Sequence, residues 1–209
     1  QPSDRGLPFP TWRPYQQETL DAIESSPARW FFLVAPTGFG KSAVACALSD
    51  KPVLLLTHTK QLQDQYSELG VAVAKGRQNF ESLRYAGVSA DIAPCNWGES
   101  CCTPRSSCPY IRQRDHAERS PTKVLNYAYA ANCARQGLFQ NNAWLVCDEG
   151  HLIDDAVGEA LAVEPPSWLG ASLEWPHDWQ SLEAWKAWSA RVGKILPPIA
   201  SAGSMPYRR

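Results

Sequence analysis

The 209-residue sequence predicts an α/β fold in which helices flank a parallel sheet. Short apolar runs rich in β-forming residues alternate with segments of helical spacing over most of the chain. These runs are apolar at successive positions, which is typical of strands covered on both faces. Strands separated by helices pair in parallel through right-handed crossovers. A cysteine-rich insertion interrupts the alternation, and a helical, tryptophan-rich segment follows it.

The predicted strands share a short length and an apolar composition. They are "WFFLV" (30–34), "VLLLT" (53–57), "VAVA" (71–74), "KVLNY" (123–127) and "AWLVC" (143–147). Helices are expected between them, at 13–23, 43–49, 60–69, 110–119 and 128–136. Pro27 follows the first helix, Pro52 the second and Gly137 the fifth, so helix-ending residues stand where the pattern needs them.

Glycine, proline, serine and cysteine dominate residues 87–109, a composition that predicts an irregular insertion. The tail after His151 carries five tryptophans, of which Trp185 and Trp188 lie three apart on a predicted helix. The acidic residues of 148–183 favour tryptophans that anchor a small helical subdomain over a platform for stacking bases. We therefore divide the chain into a first part (1–80), the insertion (81–120), a remainder (121–156) and the tail (157–209).

The net charge of −1 hides an asymmetry along the chain. Basic side chains outnumber acidic ones over residues 75–123, whereas acidic ones dominate 148–183, so a phosphate-bearing partner is expected at the middle. No apolar run approaches the roughly 18 residues of a membrane-spanning helix, and "QPSDRGLPFP" lacks the features of a signal peptide. These observations predict a cytoplasmic or nucleoid-associated protein without membrane contact.

The segment "APTGFGKS" has the spacing of a phosphate-binding loop between a strand and a helix. Backbone N–H groups of such a loop surround the β-phosphate of ATP. Lys41 would neutralise the β and γ oxygens, and the Ser42 hydroxyl would ligate Mg²⁺. The alternative is a glycine-rich turn without a ligand. The predicted nucleotide contacts in this loop are Ala35, Pro36, Thr37, Gly38, Phe39, Gly40, Lys41 and Ser42.

The second chemical element is "DEGH" (148–151), directly after the last predicted strand. Nucleotide sites of parallel sheets lie at this carboxyl end. Asp148 would hold Mg²⁺, Glu149 would orient or deprotonate the attacking water, and His151 would relay between nucleotide and nucleic acid. Taken alone, these residues also fit an exposed turn with a helix cap. With Lys41 they make a predicted hydrolysis site.

In order, these segments resemble superfamily 2 helicases. "APTGFGKS" resembles motif I of that superfamily and "DEGH" its DEAH box, while "LLLTHTKQLQDQ" (54–65) resembles motif Ia. "WRPYQ" (12–16) is similar to the element that precedes motif I.

The sequence resembles the XPD/DinG branch of these helicases in particular. "KGRQNF" (75–80), then a cysteine cluster, then "VLNYAY" (124–129) follow one another as in that branch. The whole resemblance covers residues 7–155.

This resemblance implies a RecA-like motor domain that uses ATP to move 5′ to 3′ on single-stranded DNA and to unwind it. It also implies that Arg13 and Gln16 bind the adenine side of ATP. Further residues are implied as DNA contacts: Thr57, His58, Thr59, Arg77 and Arg84. For the threonines the alternative is a strand end with a helix cap, and for the arginines a solvated face.

The branch carries an iron-sulfur domain, and here the cluster cysteines would be Cys95, Cys101, Cys102 and Cys108. Ser82 occupies the place of the family's first cysteine. A [4Fe-4S] cluster would therefore need both adjacent cysteines, a Ser82 oxygen or an exogenous ligand. Zn²⁺ is the rival, although paired zinc spacing is absent, and a site without metal is the third alternative. The remaining cysteines are expected to act as small core residues: Cys46, Cys133 and Cys147.

Helicases of this superfamily close ATP between two motor domains, and the motifs of the second are not recognisable in the sequence. We therefore expect this chain to be the N-terminal portion of a longer helicase, with the tail from Val157 at the start of the family's arch insertion. The alternative is a nucleotide- and nucleic-acid-binding module that does not unwind DNA.

Overall fold

The computed structural model describes residues 1–48, 51–94, 104, 107–161, 178 and 181–195. Four strands form one sheet in which every pair is parallel, in the order β2-β3-β1-β4. The strands are β1 (Val53–Thr57), β2 (Ala72–Ala74), β3 (Thr122–Asn126) and β4 (Trp144–Cys147). Each lies within one residue of its predicted bounds, so the α/β class with a parallel sheet is confirmed.

Helices connect the strands and continue into the tail. They are α1 (Gln16–Ser25), α2 (Lys41–Ala47), α3 (Lys60–Glu68), α4 (Pro109–Arg119), α5 (Tyr127–Arg135), α6 (Ile153–Leu161) and α7 (Leu182–Ile195). On α7 the rings of Trp185 and Trp188 meet edge to face at 5.5 Å, which confirms the helix predicted around them. The tail's other tryptophans fall outside the described residues.

Side-chain caps fix where two of the helices begin. The Thr59 hydroxyl accepts a hydrogen bond from Leu62 N at 3.2 Å and starts α3 directly after β1. The Asn126 side chain accepts from Tyr129 N at 2.8 Å and starts α5 at the end of β3. β1 and β3 therefore pass into a helix within three residues. This short transition holds the residues at the carboxyl edge of the sheet in defined positions.

Both faces of the sheet are covered, as the apolar strands predicted. In β1, Val53 and Leu55 belong to one buried cluster and Leu54 to another, because successive side chains point to opposite faces. The first cluster includes side chains from α1, α2 and α3, and the second includes side chains from α4 and α5. The phosphate-loop helix thus packs on the first face, and the helix after the cysteine-rich segment packs on the second.

The predicted strand at 30–34 is not present. Trp30, Phe32 and Val34 are 78%, 92% and 95% exposed, and the described residues give this segment no ladder partner. Among the strands that the structure describes, β4 likewise pairs with β1 alone, and its Leu145 is exposed. The prediction of a strand at 30–34 was wrong because apolar composition alone does not bury a segment. A buried strand also needs a paired neighbour, and none of the described strands pairs with these residues. One ring contact, Phe31 to Trp144 at 6.0 Å, links the segment to the sheet.

Within the described part of the chain, no helix combines the length and the apolar character required to cross a bilayer.

Because residues 30–34 are exposed, we expect substitutions there to change the free energy of unfolding less than substitutions in the core. Leu55→Ala should lower the free energy of unfolding by about 2–5 kcal/mol, because it opens a cavity in the core. Phe32→Ser and Val34→Ser should change it by no more than about 0.5 kcal/mol, since both side chains already contact solvent. Urea denaturation measures all three. A loss for Phe32→Ser as large as for Leu55→Ala would show that the segment is a core strand after all.

Candidate nucleotide-binding site

Residues 35–42 form a turn that ends in α2. Gly38 and Gly40 have φ values of +83° and +89°, in the left-handed region that favours glycine. Between them Phe39 N donates to Pro36 O at 3.2 Å and closes the turn. The two glycines of the predicted motif therefore stand where the backbone needs them. This conformation brings the chain to the start of α2 with Lys41 as the first helical residue.

The two residues predicted at the adenine side of ATP brace this loop. Gln16 is only 4% exposed, and its Nε2 donates to Phe39 O at 2.7 Å. Its Oε1 accepts from Arg13 N at 2.9 Å, and the Arg13 guanidinium donates to Gly38 O. A Cβ added at Gly40 would collide with the Gln16 amide. Arg13 and Gln16 thus lie beside the loop and hold its backbone, while their contact with adenine stays a prediction.

Lys41 reaches back across the loop. Its Nζ donates to Ala35 O at 3.0 Å, so the ammonium lies above the turn that the two glycines shape. Pro36 and Thr37 are exposed at the top of the turn, and Ser42 is half-buried on the first turn of α2. A cation at this place can neutralise phosphate oxygens held by the loop.

Asp148 is fixed from several directions at the end of β4. Its backbone N donates to Leu56 O at 2.9 Å, which continues the pairing of β4 with β1 by one residue. Its carboxylate accepts at Oδ2 from the Tyr66 hydroxyl at 3.0 Å and at Oδ1 from Glu149 N at 3.1 Å. The Tyr127 hydroxyl donates to Asp148 O at 2.9 Å. Both the main chain and the side chain of the aspartate are therefore oriented.

Tyr66 supports the acidic motif from α3. It is 2% exposed, and its phenol donates a hydrogen bond to the Asp148 carboxylate. Burial raises the pKa of Tyr66 well above its ordinary value, and the negative charge of Asp148 raises it further. The phenol consequently keeps its proton and remains a hydrogen-bond donor. Sequence reasoning missed this role, because a tyrosine on the buried face of an amphipathic helix reads as core.

The oxygen atoms gathered here suit Mg²⁺. Ser42 offers a hydroxyl and Asp148 a carboxylate, and Mg²⁺ takes oxygen ligands, usually few from protein and the rest from water and phosphate. Ser42 lies on the first turn of α2, directly after the phosphate loop, and Asp148 lies directly after β4, where Tyr66 orients its carboxylate. The residues therefore fit the predicted cation.

Cys46 lies beneath this site in the first core cluster. Burial, with a smaller effect of the charge on Asp148, raises the pKa of Cys46 to about 12. Burial also raises the thiol pKa of Cys133 and Cys147. Cys46 and Cys133 are buried, which confirms that they act as small core residues, whereas Cys147 is half-buried.

Glu149 and His151 stand on the solvent side of the motif. Glu149 has φ +53°, a left-handed conformation that is uncommon for a residue with a side chain. Its Oε2 lies 3.4 Å from His151 Nδ1, and both side chains are largely exposed. The strained backbone turns the carboxylate away from the core, where it can reach a water molecule or a bound ligand.

The residues predicted to contact DNA differ in how exposed their side chains are and in what those side chains contact. Thr57 is fully buried, and its hydroxyl donates to Thr59 O at 3.3 Å, so in this structure it serves the turn and offers nothing to a ligand. Thr59 is exposed but caps α3. His58 is exposed. The Arg77 guanidinium lies 4.5 Å from the centre of the Tyr110 ring, in a cation–π contact.

Arg84 is exposed at the edge of the cysteine-rich segment, with its guanidinium 5.5 Å from the Tyr85 ring centre. Ser82, the proposed substitute for a cluster cysteine, is buried. Its Oγ accepts from Arg84 N at 3.3 Å and Tyr85 N at 3.2 Å. This hydroxyl is therefore committed to a turn of the backbone.

The cysteine cluster itself can be described only at one end. Cys95, Cys101 and Cys102 lie outside the described residues, and Cys108 is a half-buried free thiol directly before α4. Among the residues that the structure describes, no three His, Cys, Asp or Glu side chains are grouped to hold a metal ion. Which metal the four cysteines bind stays a prediction.

A family model described as "Type III restriction enzyme, res subunit" matches residues 9–170. It represents a DEAD-like N-terminal domain of superfamily 2 helicases. The match extends over most of the chain, from before Arg13 to beyond His151, and so includes both halves of the site. No curated protein and no solved structure matches the chain significantly.

The left-handed backbone at Gly40 leads to a prediction. Gly40→Ala should lower the free energy of unfolding by more than the roughly 1–2 kcal/mol that φ > 0 costs an alanine, because its Cβ also meets Gln16. It should weaken ATP binding as well, since Gln16 braces the loop. Gly70→Ala is the matched control, with φ +83° and no atom within 4 Å of an added Cβ.

Calorimetric titration with ATP and urea denaturation measure the two effects. Equal losses of stability for both variants, with ATP affinity unchanged, would contradict the proposed contact between Gln16 and the loop.

Proposed function

Because the chain belongs to the family described as the type III restriction enzyme res subunit, we propose that it is the first motor domain of an ATP-dependent DNA helicase. Nucleic-acid-dependent ATP hydrolysis is the general activity of such superfamily 2 domains. One observation carries the proposal for this chain. The phosphate loop leads into α2, which packs in one core cluster with Tyr66, and the Tyr66 hydroxyl donates to Asp148 of the acidic motif at the carboxyl end of β4.

Each side chain of the site has a distinct task in ATP hydrolysis. The loop N–H groups and Lys41 bind the β- and γ-phosphates. Ser42 and Asp148 would hold Mg²⁺, which neutralises charge that develops on the phosphate oxygens. Glu149 directs its exposed carboxylate at the attacking water and accepts its proton. His151, 3.4 Å from that carboxylate, orients it and faces the solvent where nucleic acid would lie.

We further propose that the helicase is of the XPD/DinG type and moves 5′ to 3′ on single-stranded DNA. Contacts at the base of the insertion support this assignment. The Tyr110 ring meets the Phe80 ring at 5.8 Å and the Tyr129 ring at 6.5 Å, and the Tyr129 hydroxyl donates to the Tyr110 hydroxyl at 3.1 Å. Phe80 and Tyr129 end the two segments that resemble this branch. They close around the first turn of α4, as expected for an insertion at 81–120 held at its two ends.

A second motor domain from the same full-length chain is the proposed partner. The open side of β4 and the exposed apolar residues at 30–34 support it, since apolar surface of this extent favours a further packed element. In this arrangement residues 1–80 and 121–156 form the first motor domain. The tail at 157–209 begins the arch.

Removal of the loop lysine tests the proposed activity. Lys41→Ala should lower DNA-stimulated ATP hydrolysis by the full-length product at least about a hundredfold, because one charge that stabilises the transition state is lost. Glu149→Gln should retain ATP binding and lose about 10²–10⁴-fold in hydrolysis, as expected for a general base. Lys186→Ala, on α7 and paired with Glu183, is the control and should leave the rate unchanged. Unchanged hydrolysis by Lys41→Ala, or a natural reading frame that ends at Arg209, would refute the helicase assignment.

We propose that the four clustered cysteines are the ligands of a [4Fe-4S] cluster. Anaerobically purified protein should then contain iron and sulfide and absorb near about 400 nm, as thiolate-bound clusters do. Cys108→Ser should lose the absorbance, whereas Cys46→Ala should keep it, because Cys46 lies in the core. Stoichiometric zinc in a colourless protein would assign the site to a structural zinc ion instead.

A further inference from the structure

We propose that Tyr66 is a positioning residue that holds the Asp148 carboxylate of the acidic motif and so sets the direction of its oxygens toward the cation. This inference rests on the proposed function of the site. It adds a side chain that neither the family resemblance nor the sequence pattern assigned.

The geometry places the phenol against the acidic motif. Tyr66 is almost fully buried, and its hydroxyl donates to Asp148 Oδ2 at 3.0 Å. Its ring lies in the same core cluster as Ala43 and Cys46 of α2, the helix that follows the phosphate loop. One buried side chain therefore contacts the carboxylate from the face of the sheet on which the loop helix packs.

A tyrosine that served only to fill the core would not need a hydrogen-bond partner for its hydroxyl. The ring of Tyr66 packs in the first core cluster, and that part of its role could be filled by phenylalanine. The hydroxyl adds a donor to a carboxylate that otherwise accepts, among the described contacts, only from Glu149 N. Partners that orient a metal ligand in this way typically change metal affinity about 10–100-fold when removed.

Tyr127 serves the same aspartate in a different way. Its hydroxyl donates to the backbone oxygen of Asp148 at 2.9 Å and therefore holds the main chain. Tyr66 contacts the carboxylate itself. The two tyrosines divide the support of Asp148 between its backbone and its side chain, and the orientation of the ligand oxygen depends on Tyr66.

The test compares Tyr66→Phe with Tyr129→Phe, which removes a part-buried hydroxyl bonded to Tyr110 outside the site. Calorimetric titration with a non-hydrolysable ATP analogue is carried out with Mg²⁺ and with EDTA, and urea denaturation follows stability. We expect Tyr66→Phe to reduce the gain in affinity that Mg²⁺ provides by about 10–100-fold and to leave the affinity in EDTA unchanged. Tyr129→Phe should keep the gain. A full gain in Tyr66→Phe, or equal losses with and without Mg²⁺, would overturn the proposal.

A third variant separates this proposal from the function on which it rests. Asp148→Asn should abolish the gain from Mg²⁺, and if it does not, the proposed site itself fails. If Asp148→Asn loses the gain while Tyr66→Phe keeps it, only the role of Tyr66 fails.

A measurement on the unmodified chain covers the case in which Tyr66→Phe does not fold. With ¹³C-labelled tyrosine, the ring signals of Tyr66 should shift when Mg²⁺ is added to the nucleotide complex, and those of Tyr129 should not. Signals of Tyr66 that do not respond to Mg²⁺ would overturn the proposal.

Discussion

The backbone hydrogen bond from Asp148 N to Leu56 O fixes the acidic motif to the central part of the sheet. It extends the register of β4 on β1, in which Leu56 faces Cys147, by one residue beyond the strand. Since parallel strands end at the same edge, this bond places Asp148 beside the start of α3. Tyr66 can then reach the carboxylate from one side and Tyr127 the backbone from the other. The position of Asp148 in the site therefore depends on the alignment of these two strands.

Features that depend on local chemistry were readable from the sequence. Apolar runs predicted the four strands of the sheet. The spacing of the glycines predicted the phosphate loop, because its left-handed backbone is one that other residues rarely adopt. Tyr66 was not readable, because its helix position predicts burial but not the partner of its hydroxyl. The burial of 30–34 was misjudged for a related reason. The apolar composition of 30–34 is compatible with burial in a sheet. Whether the segment is buried depends on which element packs next to it.

The base of the insertion illustrates how a segment is added to a sheet without disturbing it. Tyr110 packs between Phe80 and Tyr129 and receives the Arg77 guanidinium on its ring. These contacts hold the start of α4 close to the points where the chain leaves β2 and enters α5. Closely spaced ends let an inserted segment vary in length while β2 and β3 keep their pairing. The sequence between these ends can therefore change without a change in the pairing of the sheet.

The open side of β4 has a consequence for handling the protein. Edge strands with free backbone groups and apolar side chains pair with other chains, and here an uncharged run at 30–34 lies close by. Neither stretch contains a lysine or proline that would discourage such pairing. Within the part of the chain that the structure describes, this edge is the place where such pairing would begin. An element that covered this edge would keep the protein in solution as well as complete its sheet.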